Sequence, residues 1–597
     1  MLVLPFEKKP ADFRLDPRGR TAAIRRGLAW TLGLSLALGL VPGFAAAQES
    51  PPFGEVIDVE VVNVRVWVTS RNGEPVSGLT AEDFSVELDG EEVPITNFYE
   101  GGVESRAAER PGALQAVSRV KTTLPSLDAP TTVEANASSS QSRFIVYVDE
   151  LHIGALDRKR VLKDLRQWFD ESEIEPESIL ILQQAQDLRR LLPFGSSSRE
   201  IDSVMRKLRS APPGMERAPM NKTLATRSLW LQWREAQQLN DRNPCQFFAL
   251  SAEAEVLTYA QQAAARARAT LRNLEEVSSF LAGLEGFKAL LYVGDILEVR
   301  PGEDLLELVR GLCPGSVNSV PADLASENIS SVYNQVAKRA NAGQVTFYTL
   351  QSSGLRVDSG YGADQISADV RVNGLFDRAL RRSNRDGLEQ LALQTGGEAI
   401  VNRNRFIKAF NEVAEDLETF YSLGVSPPAT RAEGTLRLDV KVRGDRLRIR
   451  HRDSVELRSQ RQRLFEHVMS AIHLGESQNP LGLRLASGTP QQDGDLVSVP
   501  LFVRVPADAV TFLPTPEGDI AELEVMVLAR SPELPGSPPV TRTYRMPRPA
   551  AGSLLDLAMQ LQLIPSGYVI GIGLQDRAAG TRSFVSTSIA VGAADGS

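Results

Sequence analysis

The sequence predicts a multidomain protein of the α/β plus β class: a small β-domain, then a mainly parallel sheet covered on both faces, then a β-sandwich. Three observations predict it. Short apolar strands alternate with amphipathic helices through the middle of the chain, from Phe144-Ile145-Val146-Tyr147-Val148 to Val345-Thr346-Phe347-Tyr348-Thr349-Leu350. Before them, Val62, Val64, Val66 and Val68 alternate with Asn63, Arg65, Trp67 and Thr69, the period of a half-buried strand. At 597 residues and 42% hydrophobic content, the chain is also too long for one core, since domains run to roughly 100–200 residues.

Composition excludes some functions at the outset. The net charge is −9 and the pI about 5.4, with acids and bases interspersed, so no basic stripe is present to neutralise phosphates and nucleic-acid binding is disfavoured. Residues 1–47 read as a targeting segment: Arg25-Arg26 precede an apolar run from Gly27 to Leu40, followed by Pro42-Gly43 and Ala45-Ala46-Ala47. Cleavage between Ala47 and Gln48 fits the small-x-small rule and would release a mature chain to the periplasm or the cell exterior. The run is shorter than the about 20 residues of a comfortable span, and no later segment supplies one. An uncleaved amino-terminal anchor is the alternative.

Export changes the reading of Cys245 and Cys313, because an oxidising compartment lets such a pair persist as a disulfide. In the chain-entropy account a loop of that size contributes about 3–5 kcal/mol. Two unpaired buried thiols are the alternative. The four histidines, His152, His451, His467 and His473, stand at no zinc-ligand spacing from either cysteine.

In the small β-domain, residues 55–100, Asn72-Gly73 suits a hairpin turn because it tolerates left-handed backbone. Leu79 to Phe84 forms a short capped turn ahead of a second strand, Ser85–Leu88, closed by Asp89-Gly90. Residues 101–141 lose periodicity and gain Ala, Ser, Thr and Pro, which reads as a linker. The α/β domain, residues 142–455, opens with Phe144–Val148. Its first helix has Asp157 as N-cap and Val161, Leu165, Trp168 and Phe169 on one face. Strand Ile179–Leu182 precedes a helix announced by the capping box Ser197-x-x-Glu200. Residues 211–286 form a helical insertion with Trp230 and Trp233 as a packing face and a long helix from about Glu253 to Leu284. Strand Ala289–Val293 ends in Gly294-Asp295.

Two clusters carry a family resemblance. The first is Val-x-Val-x-Val-x-Val, Asn72-Gly73-Glu74-Pro75-Val76, Leu79-Thr80-x-x-Asp83-Phe84 and Asp89-Gly90. The second is Leu391-Ala392-x-x-Thr395-Gly396-Gly397, a helix to Leu417, Phe420-Tyr421-Ser422-Leu423-Gly424-Val425, and a hairpin of Thr435–Val442 with Leu447–His451. Over residues 56–455 the chain resembles bacterial von Willebrand factor A-related proteins. The resemblance implies a Rossmann-like, doubly wound sheet and a cation site at its carboxyl edge. Where that family would carry Asp-x-Ser-x-Ser, however, this chain has Asp149, Leu151 and Ile153, so two hydroxyl ligands are lost and the adhesion site reads as degenerate. Asp149, Glu150 and Asp295 are the oxygen donors that remain for Mg²⁺ or Ca²⁺, and no other cofactor is indicated.

A connecting helix at 460–475 leads to an Ig-like β-sandwich at 480–593, whose strands include Val497–Val503, Glu522–Val527 and Tyr568–Ile572. No nucleophile elbow, phosphate-binding glycine loop or zinc helix occurs. The sequence thus points to a non-enzymatic binding or scaffolding protein, engaging protein partners through the loops at the carboxyl edge of its central sheet. The alternatives are a cation-dependent adhesion module using Asp149 and Asp295, and a secreted hydrolase using Asp149, Glu150 and His152.

Overall fold

Strand β1 (Val62–Ser70) buries both faces of its central part in the computed structural model: Val64, Val66 and Val68 on one side, Trp67 on the other. The structure describes residues 61–101, 142–185, 187–210, 218–239, 242–315, 322–354, 374–375, 385–428, 433–444, 446–475, 477–531 and 538–591. The targeting segment with its Ala47–Gln48 cleavage point lies outside them, as does the linker beyond Gly101. All described residues belong to one unit running from Glu60 to Ser597.

Strands β2 (Phe84–Leu88), β3 (Glu91–Val93) and β4 (Ile95–Glu100) follow. The turn at Asn72-Gly73 forms, with Gly73 at φ +85°, and folds residues 74–76 back on the end of β1 as a short hairpin, Ser70 N donating to the Glu74 carbonyl at 2.8 Å and Val76 N to the Val68 carbonyl at 2.9 Å; it does not pair β1 with β2. Instead β1 and β2 enter opposite sheets, and the chain crosses between them through the turn that Thr80 and Asp83 close, Thr80 N donating to Asp83 Oδ2 at 2.8 Å.

The α/β domain is built from β5 (Arg143–Asp149), α1 (Ala155–Glu171), β6 (Ile179–Gln184), β7 (Leu188–Leu192), α2 (Ser198–Ser210), α3 (Ala218–Leu239), α4 (Cys245–Leu281), β8 (Lys288–Gly294), α5 (Glu303–Leu312), α6 (Ser330–Ala342), β9 (Val345–Gln351), α7 (Asp386–Gln394), β10 (Ala399–Ile400) and α8 (Ile407–Glu418). The strand order is β10-β9-β8-β5-β6-β7, parallel throughout except for β7 at the edge. Phe144, Val146 and Val148 face α1, α2 and α8, while Ile145 and Tyr147 face α4, α6 and α7. Burial on both sides is why these strands read as continuous apolar runs rather than alternations. The strand succession reverses between β5 and β8, and the carboxyl ends of these two strands are where ligands bind in sheets of this kind.

Helix α1 starts at Gly154, not at Asp157: the glycine is the N-cap, and Asp157 sits in the first turn, paired with Arg160 at 3.3 Å. Helix α4 begins at Cys245, ahead of the expected Glu253, and extends about 55 Å at 1.5 Å per residue. Its carboxyl half packs on the sheet. Its amino half forms a separate core with α3 and α5 that contains Trp230 and Trp233. The disulfide Cys245–Cys313 ties the start of α4 to the residue after α5.

The largest departure from the sequence reading concerns residues 421–457. Strands β11 (Tyr421–Val425), β12 (Gly434–Val442), β13 (Leu447–His451) and β14 (Ser454–Leu457) do not complete the α/β domain. They complete the small β-domain, in two antiparallel sheets ordered β13-β1-β11-β4 and β14-β12-β2-β3. The reason is burial: four strands from residues 62–100 cannot cover Val64, Val66 and Val68, and Leu436, Leu438 and Val440 supply the facing layer. The α/β domain is therefore an insertion within the sandwich.

Helix α9 (Gln460–Leu474) follows, with the Ser459 side chain accepting from Gln462 N. The remaining strands are β15 (Arg484–Ser487), β16 (Gln491–Asp493), β17 (Leu496–Pro506), β18 (Leu513–Thr515), β19 (Gly518–Arg530), β20 (Val540–Pro547), β21 (Leu554–Leu563), β22 (Ser566–Asp576) and β23 (Arg582–Val591). They form two antiparallel sheets around one core. Among the described residues no helix is long and apolar enough to cross a membrane.

Helix α9 packs against α4 where Gly283 leaves room for it. A Cβ there would lie 2.4 Å from the Glu466 carbonyl oxygen, which the helix backbone cannot yield. Gly283→Ala is expected to destabilise the protein by about 1–3 kcal/mol, seen as a lower urea midpoint.

Candidate functional site

The crevice at the carboxyl ends of β5 and β8 collects polar residues because both strands end there in acids: Asp149-Glu150 after Val148, and Asp295 after Gly294. Asp149 is fully buried, as is most of its surroundings. Its Oδ2 accepts from Tyr292 OH at 2.7 Å and Thr270 Oγ1 at 2.9 Å, and lies 2.8 Å from His152 Nδ1. Its Oδ1 accepts from the backbone N–H of Leu151 at 2.9 Å. Burial by itself would raise the Asp149 pKa. The adjoining His152 and the hydrogen bonds from His152, Tyr292 and Thr270 outweigh it and hold the carboxyl below its ordinary range.

Glu150 turns the other way, toward α1. Arg158 Nη1 reaches both its oxygens, at 2.7 and 2.6 Å, and Gln183 Nε2 donates to it at 3.3 Å. Arg158 is itself only 1% exposed, so this is a buried, charge-assisted pair. Asp295 accepts from the backbone N–H of Ser353 at 3.2 Å, bridging the ends of β8 and β9. Arg160 caps the neighbouring Ser352 carbonyl at 2.5 Å.

The three acids proposed as oxygen ligands thus share one sheet edge without converging. Among the described residues no group of three or more His, Cys, Asp or Glu side chains is placed to hold a metal ion. Asp149 in particular directs both oxygens at protein donors, a set that suits an internal hydrogen-bond network better than a hard cation wanting several free oxygens. His152 joins Asp149 as the sequence spacing allowed, but it is 2% exposed and buried with it, whereas Glu150 faces Arg158.

Sequence reasoning missed Thr270, Tyr292 and Arg158. Tyr147 and Tyr292 did leave a signal, since they occupy paired register positions in adjacent central strands and stack with ring centroids 5.8 Å apart. A second buried cluster was also missed. Lys222 Nζ lies 2.9 Å from Glu298 and 2.6 Å from Asp304, and Tyr259 OH donates to Glu298 at 2.9 Å. The two carboxylates more than offset burial and raise the Lys222 pKa. The cluster fastens the helical insertion to the loop after β8.

Fold and site together define an α/β domain of the doubly wound kind, inserted in one β-sandwich and followed by another. No family model matches the chain, and no curated protein does. Among solved structures it is similar to an aerotolerance-related membrane protein from Bacteroides fragilis NCTC 9343 with multiple mutations to serines, at 12% identity over 46% of this chain and 98% of that one, with a TM-score of 0.22. Two glycosidases are also similar in part. The β-glucuronidase of Bacteroides uniformis shares 12% identity over 29% of this chain and 19% of its own, at a TM-score of 0.14. The β-glucosidase of Listeria innocua, in complex with isofagomine, shares 8% over 77% and 48%, also at 0.14. Likenesses this loose carry no argument about fold or function.

Two outcomes are expected. Tyr292→Phe, which takes one donor from a buried carboxylate, should cost about 1–3 kcal/mol in urea unfolding. Because the Asp149 pKa is lowered on folding, its contribution is fully present above the ordinary value of 3.8 and is lost as pH falls through the folded-state value. The stability gap between the native chain and Asp149→Asn should therefore narrow below that pH in a series of unfolding curves.

Proposed function

We propose that this chain is an exported, non-enzymatic protein-binding or scaffolding protein built on a von Willebrand factor A-like domain whose adhesion site no longer depends on a cation. The observation that carries the reading is the Asp149 network. At the crevice where a cation-dependent module would hold its metal, Leu151 N–H, His152, Thr270 and Tyr292 occupy the acceptor positions of the carboxylate. The strand order, with its reversal between β5 and β8 and its single antiparallel edge strand, supports the same reading.

Partner binding falls to the carboxyl edge of the sheet. Leu156, at the start of α1 after β5, is 78% exposed, a large apolar side chain on the rim of this sheet edge. Export draws support from the disulfide, which persists in oxidising compartments. A hydrolase using Asp149, Glu150 and His152 would need its reacting groups reachable; Asp149 and His152 are 0% and 2% exposed.

Calorimetric titration with Mg²⁺, Ca²⁺ and Mn²⁺ is expected to give no stoichiometric heat up to about 1 mM cation. Stoichiometric heat abolished by both Asp149→Ala and Asp295→Ala would favour cation-dependent adhesion instead. In chemical crosslinking with EDTA present, the native chain is expected to give a crosslinked partner product that Leu156→Asp loses while keeping its fold by circular dichroism.

A further inference from the structure

The opposite end of the central sheet holds a cavity of about 460 Å³, bounded by the amino ends of β8 and β9, by β1 and β11 of the sandwich, and by α9. Its volume lies within the roughly 300–1,000 Å³ of small-molecule sites. Five cationic residues line it, Arg65, Lys288, Arg452, Arg458 and Arg463, against two carboxylates. Of the carboxylates, Glu285 is exposed, and Glu466 is taken by Arg458 at 2.8 Å and Arg339 at 3.5 Å.

Three of the cations have no carboxylate partner among the described residues. Lys288 is 2% exposed, and its ammonium donates to the Leu284 carbonyl at 2.7 Å. Arg452 is 8% exposed and donates to the Asn341 and Asn63 carbonyls, both at 2.9 Å, while its Nε has no acceptor. Arg65 is sandwiched between the rings of Phe287 and Phe420, 3.8 and 3.4 Å from their centroids. Stacking on both faces leaves only the guanidinium edge to hydrogen-bond, and its buried Nη1 has no acceptor. Burial, as the largest cause, lowers Lys288 to about 7, Arg65 to about 9 and Arg452 to about 10.

Buried charges in folded proteins are paired, and donors left without acceptors are destabilising. A cavity lined by three basic residues with no carboxylate in salt-bridge contact, and with buried donors on Arg65 and Arg452 that have no acceptor, is suited to an anion from outside the chain. We propose that this cavity binds a small oxyanion-bearing ligand, a phosphate or carboxylate group held by Arg65, Lys288 and Arg452, on a compact organic body packed against the aromatic wall of Trp67 and Tyr99. The inference is independent of the reading of the carboxyl edge, which lies at the other end of the strands.

The test is thermal unfolding and calorimetry of the full chain with phenyl phosphate, benzoate and inorganic phosphate, with phenol as the uncharged control. A saturable rise in the unfolding midpoint with an anion, absent with phenol, is expected. Lys288→Met and Arg65→Gln should each weaken binding at least about tenfold, whereas Arg504→Gln, in an exposed pair on the second sandwich, should not. Lys288→Met should also keep or raise the midpoint of the unliganded protein, because it removes an unpaired buried charge; a lysine with a purely structural role would lower it. Phenyl phosphate binding more tightly than inorganic phosphate assigns the oxyanion to an organic ligand, and equal binding assigns it to free oxyanion. No midpoint change with any anion up to about 10 mM, an equal change with phenol, or unchanged binding in Lys288→Met would overturn the proposal.

Discussion

The fold depends on one pairing: β4 against β11, which sets Glu100 beside Tyr421. Everything in the α/β domain lies between these two residues in sequence, so the domain leaves the sandwich and returns to it through adjacent strands. Gly101 N–H donates to the Phe420 carbonyl at 2.7 Å, and the Tyr421 hydroxyl donates to the Val76 carbonyl at 2.8 Å, closing the neck of the insertion. The pairing has a large loop-closure cost, because the sandwich gains its second layer only after the insertion has brought its ends together. What offsets that cost is the shared core of β1, β2, β11 and β12, together with side chains that cross the neck. Trp67 of β1 donates to the Asp416 carbonyl at 2.9 Å, and Arg450 of β13 stacks over Trp67 while pairing with the Asp416 carboxylate.

That geometry gives the two ends of the central sheet opposite electrostatics. At the carboxyl end a buried anion, Asp149, meets four hydrogen-bond partners, and the pKa is held low. At the amino end the sandwich brings Arg65 and Arg452 to the same cavity as Lys288, three basic residues held by backbone carbonyls and ring faces. A satisfied network rigidifies, whereas an unsatisfied one is retained against its own destabilising effect only where something else completes it. The two ends are therefore built differently: hydrogen bonds surround a buried anion at the carboxyl end, and cations line a cavity at the amino end.

The sequence made the central strands legible because a run buried on both faces needs no partner to be recognised: Phe144–Val148, Ile179–Leu182 and Ala289–Val293 all fall within observed strands. Asp149 was legible for the same reason, as the first polar residue after such a run. Its donors were not, since Thr270 and Tyr292 are 121 and 143 residues away and reach it only through packing of α4 and register of β8. The membership of Thr435–Val442 was misread because local pattern identifies a strand without identifying its sheet. Arg65 offered the subtlest signal. It occupies a polar position in an alternating strand, which ordinarily faces solvent, and only the insertion of a second domain over that face turns it inward.

Helix α9 binds these parts together, and its sequence shows how one short helix can serve three surfaces. Arg463, Glu466 and His467 look into the cavity; Val468 and Met469 join the core under the sheet; and Leu464, Val468 and Ile472 meet β22 where Gly571 and Gly573 leave no side chain in the way. Burial of His467 between the Gly283 carbonyl, 3.0 Å away, and the Phe584 ring lowers its pKa to about 4, so it stays neutral in the contact. Glu466 is the one carboxylate buried in the cavity wall, and it is already committed to Arg458 and Arg339. Its commitment to Arg339 fixes α9 to the α/β domain, and it leaves no free carboxylate there for Arg65, Lys288 and Arg452.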